Sequence, residues 1–478
     1  MVVKINSITI IGLEIRPIVV EVDVSPGLFD FTIVGMPSKV ILESKKRIYA
    51  AIQNSGFRMP SSHITVNLAP ADIPKASTGF DLPIAVGILA ATSQINIKLT
   101  DKVFWGELSL NGEMQYTNGV LAIAMDELQK QGKYLIIPRI NAKEALIVGM
   151  QEIIPIGHLR DIPALLAVKN IYSKKSSYKR NIQIKRIPDL QIINNKRLIR
   201  AIMLSVLGRL NIILIGPAGA GKTFILKVIE NIINPLPDRY FYEVNKIYSI
   251  AGLIKDHFID YPPFRYIHHT ITQAAFIGGG SKFRIGEICL AHGGFLFMDE
   301  FNLFDKNIIE LLRQPLQDKF INIQRGQYSF NIPCDFTLLA SMNPCKCGNY
   351  GSIDKQCACS NYEIQKYWRR LSRPILDRID MQIFVQQEQS KGAKLISLLE
   401  IKRQIDAAQE FSSNNPDKKV NKQARKLLES SSINLGLSLR GANKLLNIAK
   451  AISDLDQCDE VKEDQVAEAI TFRTNINI

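Results

Sequence analysis

The sequence predicts an α/β protein. Its core is a parallel sheet carrying a phosphate-binding loop, with an α+β domain before it and a helical domain after it. Three observations carry this reading. Four continuous apolar runs, Asn211–Ile215, Phe295–Met298, Thr337–Ser341 and Met381–Val385, alternate with helical stretches, as in a sheet buried on both faces. The first run leads directly into Gly216–Thr223, reading GPAGAGKT, and from there into a helix over Lys222–Ile233. The texture also changes on either side of this region, giving a domain over residues 1–168, a basic linker over 169–190, a core over 191–385 and a helical region over 386–478.

In the first domain, short β-branched runs at Ser7–Gly12, Val19–Val24, Phe29–Val34 and Ile64–Leu68 alternate with turn signals. Helical stretches near Lys39–Ser55 and Leu82–Ala91 interrupt them. The linker holds Lys169, Lys174, Lys175, Lys179, Arg180, Lys185 and Arg186 among serines; it reads as a solvated tether, with a DNA contact as the alternative. Asn195–Leu207 is an amphipathic helix leading into the core. Beyond residue 386 the pattern is helical throughout, with breaks near Asn414–Pro416, Asn434–Gly436 and Asp454–Asp459.

A chain of 478 residues is long enough for two or three domains. Its net charge is +14, and nucleic acid is the usual partner of so basic a protein. An AT-rich coding bias, favouring Lys, Ile and Asn, would give the same charge with no such partner. No signal-peptide pattern follows Met1, and the best apolar run, Leu82–Thr92, is about half a membrane span. A cytoplasmic protein with no membrane partner is therefore expected.

The loop Gly216, Pro217, Ala218, Gly219, Ala220, Gly221, Lys222 and Thr223 binds phosphate for physical reasons. Its glycines let backbone N–H groups curl around oxygens, and the helix N-terminus adds the positive end of its dipole. Lys222 supplies charge to the β- and γ-phosphates, and Thr223 offers a hydroxyl to Mg²⁺. The run FLFMDE, Phe295–Glu300, completes the pattern: Asp299 holds Mg²⁺ through water and Glu300 polarises the attacking water. Asn343 ends a third strand at the ligand edge, in reach of that water or the γ-phosphate. Arg378 and Arg440 suit γ-phosphate charge, although either alone reads more readily as a surface residue.

Seven cysteines in a chain with no export signal argue against disulfides. Four of them, Cys345, Cys347, Cys357 and Cys359, lie within fifteen residues as two C-x-C pairs. They could close a structural Zn²⁺ site bracing the segment between Asn343 and Arg378, or remain reduced thiols. Cys289, Cys334 and Cys458 read as isolated apolar residues.

Together these elements resemble the magnesium-chelatase-like branch of the AAA+ ATPases, and most closely the ComM/YifB family, over essentially the whole chain. The matching motifs run from VNLAPADIPK at Val66–Lys75 and FDLPIA at Phe80–Ala85 to His268–Thr270, Gly278–Gly280, Gly286–Ile288, Leu290–His292, Leu312–Leu316 and Met342–Cys345. The resemblance implies an AAA+ core with a C-terminal helical lid. It also implies that Asn343 is sensor 1, Arg378 an arginine finger reaching the neighbouring subunit's nucleotide, and Arg440 sensor 2. A finger acting in trans implies a homo-oligomeric ring, usually a hexamer. Family members are ATP-driven DNA motors that promote branch migration in natural transformation. The insert Tyr266–Glu287, with Lys282 and Arg284 by its Gly-rich tip, resembles a loop directed at DNA. A β-hairpin over Gln317–Pro333, with Lys319, Arg325 and a turn at Gly326–Gln327, would add a second basic grip. The rival implication is a protein remodeller of the magnesium-chelatase-subunit type that does not act on DNA.

Two departures touch the base pocket. Asn194 and Asn195 stand where the family has Gly-Gln, and Leu207–Arg209 replaces a Gly-Gly-His-like stretch. The first domain also resembles the Lon protease domain, through Gly106–Gly112 and Tyr134–Asn141. Gly79 stands where that family has its serine nucleophile and Leu121 where it has its lysine, so proteolysis is not expected.

Overall fold

The structure, a computed structural model, describes residues 2–473 apart from 131–132, 151, 168–179, 181, 183–184, 255–256, 280–283, 326–327, 387–393, 417 and 435–436. Lys169, Lys174, Lys175 and Lys179 of the linker, Gly280 and Lys282 of the insert, and the Gly326–Gln327 turn lie outside the described residues.

Two compact units form. The first comprises Met1–Ile182, Asp238–Ile259 and Gly279–Ile285; the second takes the rest. The first is built on a seven-stranded mixed sheet. Its strands are β1 (Val3–Ile11), β2 (Glu14–Ser25), β3 (Asp30–Val34), β4 (His63–Ala69), β5 (Lys102–Phe104), β6 (Tyr134–Pro138) and β7 (Ile153–Ile156). They lie in the order β3-β4-β2-β1-β5-β6-β7, with antiparallel pairing of β2 to β1 and β4 and parallel pairing elsewhere. Helix Asp81–Ala91 is buried over nearly its whole length, which explains an apolar run without amphipathic spacing.

Helix Asp238–Ile250 belongs to this first unit, not to the contiguous 191–385 core expected from sequence. Ser249 ties it down: its carbonyl accepts from Gly119 N at 3.0 Å and its hydroxyl donates to the buried Glu144 carboxylate at 2.5 Å. The Arg180 guanidinium stacks 4.2 Å above the Phe241 ring of the same helix.

The second unit contains the expected parallel sheet. Its strands are β8 (Ile212–Ile215), β9 (Phe264–Ile267), β10 (Phe295–Met298), β11 (Thr337–Met342) and β12 (Met381–Phe384). They lie in the order β9-β10-β11-β8-β12, all parallel. Each residue of β8, β10 and β11 is buried, as continuous apolar runs require. The hairpin forms as Phe320–Arg325 paired with Tyr328–Pro333. The C-terminal helices Leu398–Asn414, Lys422–Asn434, Leu439–Leu455 and Glu463–Thr471 share one apolar core with the sheet, through Ile405, Leu445, Ile448 and Phe472. This region is not helical throughout. Leu395–Ser397 pairs with Gln191–Ile193, and Lys419–Val420 pairs with Glu460–Val461.

A buried charge cluster anchors these helices to the sheet. The Asp380 carboxylate accepts from Asn211 N and Nδ2, both at 2.8 Å, and from Lys444 Nζ at 2.6 Å. Burial pushes the Lys444 ammonium below its ordinary pKa, and Asp380 opposes that shift. Burial also lowers the pKa of the buried Arg473 guanidinium, and the charges of Asp380 and Asp377 oppose that shift. Asp380→Ala should therefore remove about 3 kcal/mol from the unfolding free energy of the second unit in urea, because the buried Lys444 ammonium loses its counter-charge. The first unit's transition should not move.

Candidate nucleotide site

The loop between β8 and helix Lys222–Ile232 turns on two left-handed glycines, Gly219 at φ +81° and Gly221 at φ +73°. A side chain at either position would be strained by the backbone alone. Gly216 is fixed for a different reason: a Cβ there would overlap the Val385 carbonyl.

Lys222 is almost fully buried, and its ammonium donates to Gly216 O at 2.7 Å, Pro217 O at 2.8 Å and Asn343 Oδ1 at 3.2 Å. Burial lowers its pKa, against the opposing pull of the Asp299 and Glu300 carboxylates. Thr223 Oγ1 donates to Asp299 Oδ2 at 2.8 Å. The other Asp299 oxygen accepts from the Ser341 hydroxyl and, at 3.0 Å, from Glu300 N. Glu300 is exposed and sits at φ +51°, a left-handed position costing about 1 kcal/mol for a side chain with a Cβ. That turn ends the strand abruptly and leaves its carboxylate in solvent beside Asp299. Ala218 N donates to Gly348 O at 3.0 Å, joining the loop to the segment after β11.

The structure thus gathers Lys222, Thr223, Asp299, Glu300 and Asn343 at the C-terminal edge of the sheet. Arg378 lies at the opposite edge. It precedes β12, whose four residues run parallel to those of β8, so a strand length of about 13 Å separates it from its own loop. Its guanidinium donates to Arg313 O at 3.0 Å, Pro374 O at 2.8 Å and Gln317 Oε1 at 2.7 Å. Burial lowers its pKa, and the neighbouring cations Arg440 and Arg313 lower it further. Arg440 is exposed in the first turn of helix Leu439–Leu455.

Sequence reasoning missed the parts played by Ser341 and Gly348. Their roles come from strand adjacency and loop contacts, and no local spacing signals them. In the first unit, a Cβ on Gly79 would overlap the Trp105 ring, and Leu121 is fully buried with its N–H on Glu144 Oε2 at 3.1 Å. Packing holds both of those positions.

Cys345, Cys347, Cys357 and Cys359 come together after β11, with all four sulfurs within 4.8 Å of one another. This set could hold a metal ion. Cys289 and Cys334 are fully buried elsewhere, and burial pushes both thiols well above the ordinary range.

A family model for the ChlI subunit of magnesium chelatase matches residues 189–393. A second ChlI model matches residues 20–141, and a model of the ChlI C-terminal region matches residues 393–473. The chain is 32% identical to the competence protein ComM of Haemophilus influenzae, covering 98% of this chain and 96% of that protein. It is 31% identical to uncharacterized YifB proteins of Salmonella typhimurium and Escherichia coli, in each case over 97% of this chain and 95% of the relative.

The burial pattern sets an order of thiol reactivity. Under native conditions Cys289 and Cys334 should resist a disulfide reagent such as DTNB, reacting at least about 100-fold more slowly than Cys458 and reaching full rate only in denaturant. Mass mapping of the labelled residues checks this.

Proposed function

The chain belongs to the ComM/YifB family of magnesium-chelatase-like proteins, with an AAA+-type core, and from that premise we propose that it is an ATP-hydrolysing motor acting on DNA as a ring. The observation that carries this reading is the convergence of Lys222, Thr223, Asp299 and Asn343 at one sheet edge. Lys222 would give its charge to the β- and γ-phosphates once they replace the loop carbonyls as acceptors. Thr223 and Asp299 present two oxygens 2.8 Å apart, a donor set of the kind Mg²⁺ takes, and the bound ion would offset phosphate charge. Glu300 would take a proton from the attacking water while Asn343 orients that water.

One arginine supports the ring. Arg378 lies a strand length from its own loop, so a nucleotide that it touches would belong to another copy of the chain. A hexamer acting through this arrangement, with the C-terminal helices as the lid and a Lon-like first domain, is the assembly we infer. For DNA as substrate the supports are the net charge of +14 and the competence protein among the relatives. Branch migration in the cytoplasm during natural transformation is the activity that fits them. Protein remodelling of the chelatase type is the second reading, and the ChlI family models favour it.

Lys222→Ala should abolish binding of a fluorescent ATP analogue. Glu300→Gln should bind the analogue as the parent does yet hydrolyse ATP at least about 100-fold more slowly. Undiminished binding in the first variant, or undiminished turnover in the second, contradicts the assigned roles.

Forked or four-way DNA should stimulate ATP turnover several-fold, with stimulation falling steeply as salt rises. Assembled rings that show no such response point to the protein-remodelling reading.

A further inference from the structure

The four clustered cysteines are joined to the nucleotide site through Asn343 and the turn that follows it. Cys345 stands two residues after Asn343, whose Oδ1 accepts from Lys222. The Cys345–Gly348 turn closes through Gly348 N on Cys345 O at 3.1 Å, and Gly348 O then accepts from Ala218 N in the phosphate loop. Trp368 Nε1 donates to Pro344 O at 2.9 Å from below. The first cysteine pair is thereby built into the wall of the loop.

Apolar packing does not explain why the second pair meets the first. Cys347 is exposed, Cys357 and Cys359 are half-buried, and no helix or strand lies between residues 343 and 360. Closing such a loop costs chain entropy that exposed thiols do not return. The sulfur separations identify what would. Cys345 Sγ lies 3.4 Å from Cys347 Sγ and 3.7 Å from Cys357 Sγ, and Cys347 Sγ lies 3.5 Å from Cys357 Sγ. A tetrahedron with Zn–S bonds of about 2.3 Å has edges of about 3.8 Å, close to these spacings. A disulfide would need a separation of about 2.05 Å.

We propose that Cys345, Cys347, Cys357 and Cys359 bind one Zn²⁺ as thiolates, and that this ion holds the Cys345–Gly348 turn against Ala218, making nucleotide affinity depend on zinc. The proposal rests on the nucleotide reading of Gly216–Thr223. Each thiol gives its proton to solvent as its Zn–S bond forms, so loading is favoured as pH rises. The coupling runs through a main-chain hydrogen bond and the placement of Asn343, so zinc acts on binding without touching ATP.

The test uses the purified full chain. Elemental analysis should give one zinc per chain. Removal with a thiol-modifying agent and chelator, followed by reduction, should weaken binding of a fluorescent ATP analogue by about tenfold, the scale of one lost hydrogen bond. Added Zn²⁺ should restore it. Cys357→Ser with Cys359→Ser should lose the metal and reproduce the weakening with unchanged far-ultraviolet circular dichroism, whereas Cys458→Ser should change neither. Absence of stoichiometric zinc, or disulfides among the four sulfurs, overturns the proposal. So does nucleotide affinity that is equal with and without zinc, and that result leaves the nucleotide reading intact. A zinc-loaded chain that binds no nucleotide overturns both.

Discussion

The pairing of β8 with β11 sets the position of everything else in the nucleotide site. Ile215 lies opposite Met342, and Gly216 N continues the ladder onto Met342 O at 3.3 Å. Gly216 and Asn343 therefore leave the sheet side by side, and the single ammonium of Lys222 reaches both. On the other flank of β11, Met298 lies opposite Ala340, which brings Asp299 beside Ser341. A slip of one residue in either pairing would turn these side chains to the other face and dissolve the site.

The same register gives the sheet two chemically different edges. At the C-terminal edge are the loop, the carboxylates and Asn343. At the other, Asp380 ties Asn211 of the β8 approach to Lys444 of the C-terminal helices, and the Lys444 ammonium also donates to Arg378 O at 2.5 Å. Arg378 is thus held by its main chain and its guanidinium at once, so its orientation is prepared before any ligand arrives.

Much of this was legible because it is local. Gly216–Thr223 and Phe295–Glu300 declare themselves by residue type and by the apolar strands in front of them. The core strands are readable because burial on both faces demands unbroken apolar runs. What escaped depends on which surfaces meet. Asp238–Ile250 has a clear amphipathic pattern, but a pattern names an apolar face and not the core it faces. Strands of two or three residues, such as Lys419–Val420, are too short to show a period. The missing serine at position 79 was visible, but the Trp105 ring that denies any side chain there was not.

The order in which the chain visits its two units has a consequence for how the protein is put together. The chain leaves the first unit after Ile182, returns for Asp238–Ile259, departs, returns again at Gly279 and leaves finally after Ile285. Neither unit is a contiguous stretch of gene. A cut at the basic linker would strip the first unit of the helix that covers Gly119 and Glu144, and would leave that helix on the other product with its apolar face in water. No single cut in the chain therefore separates the two units.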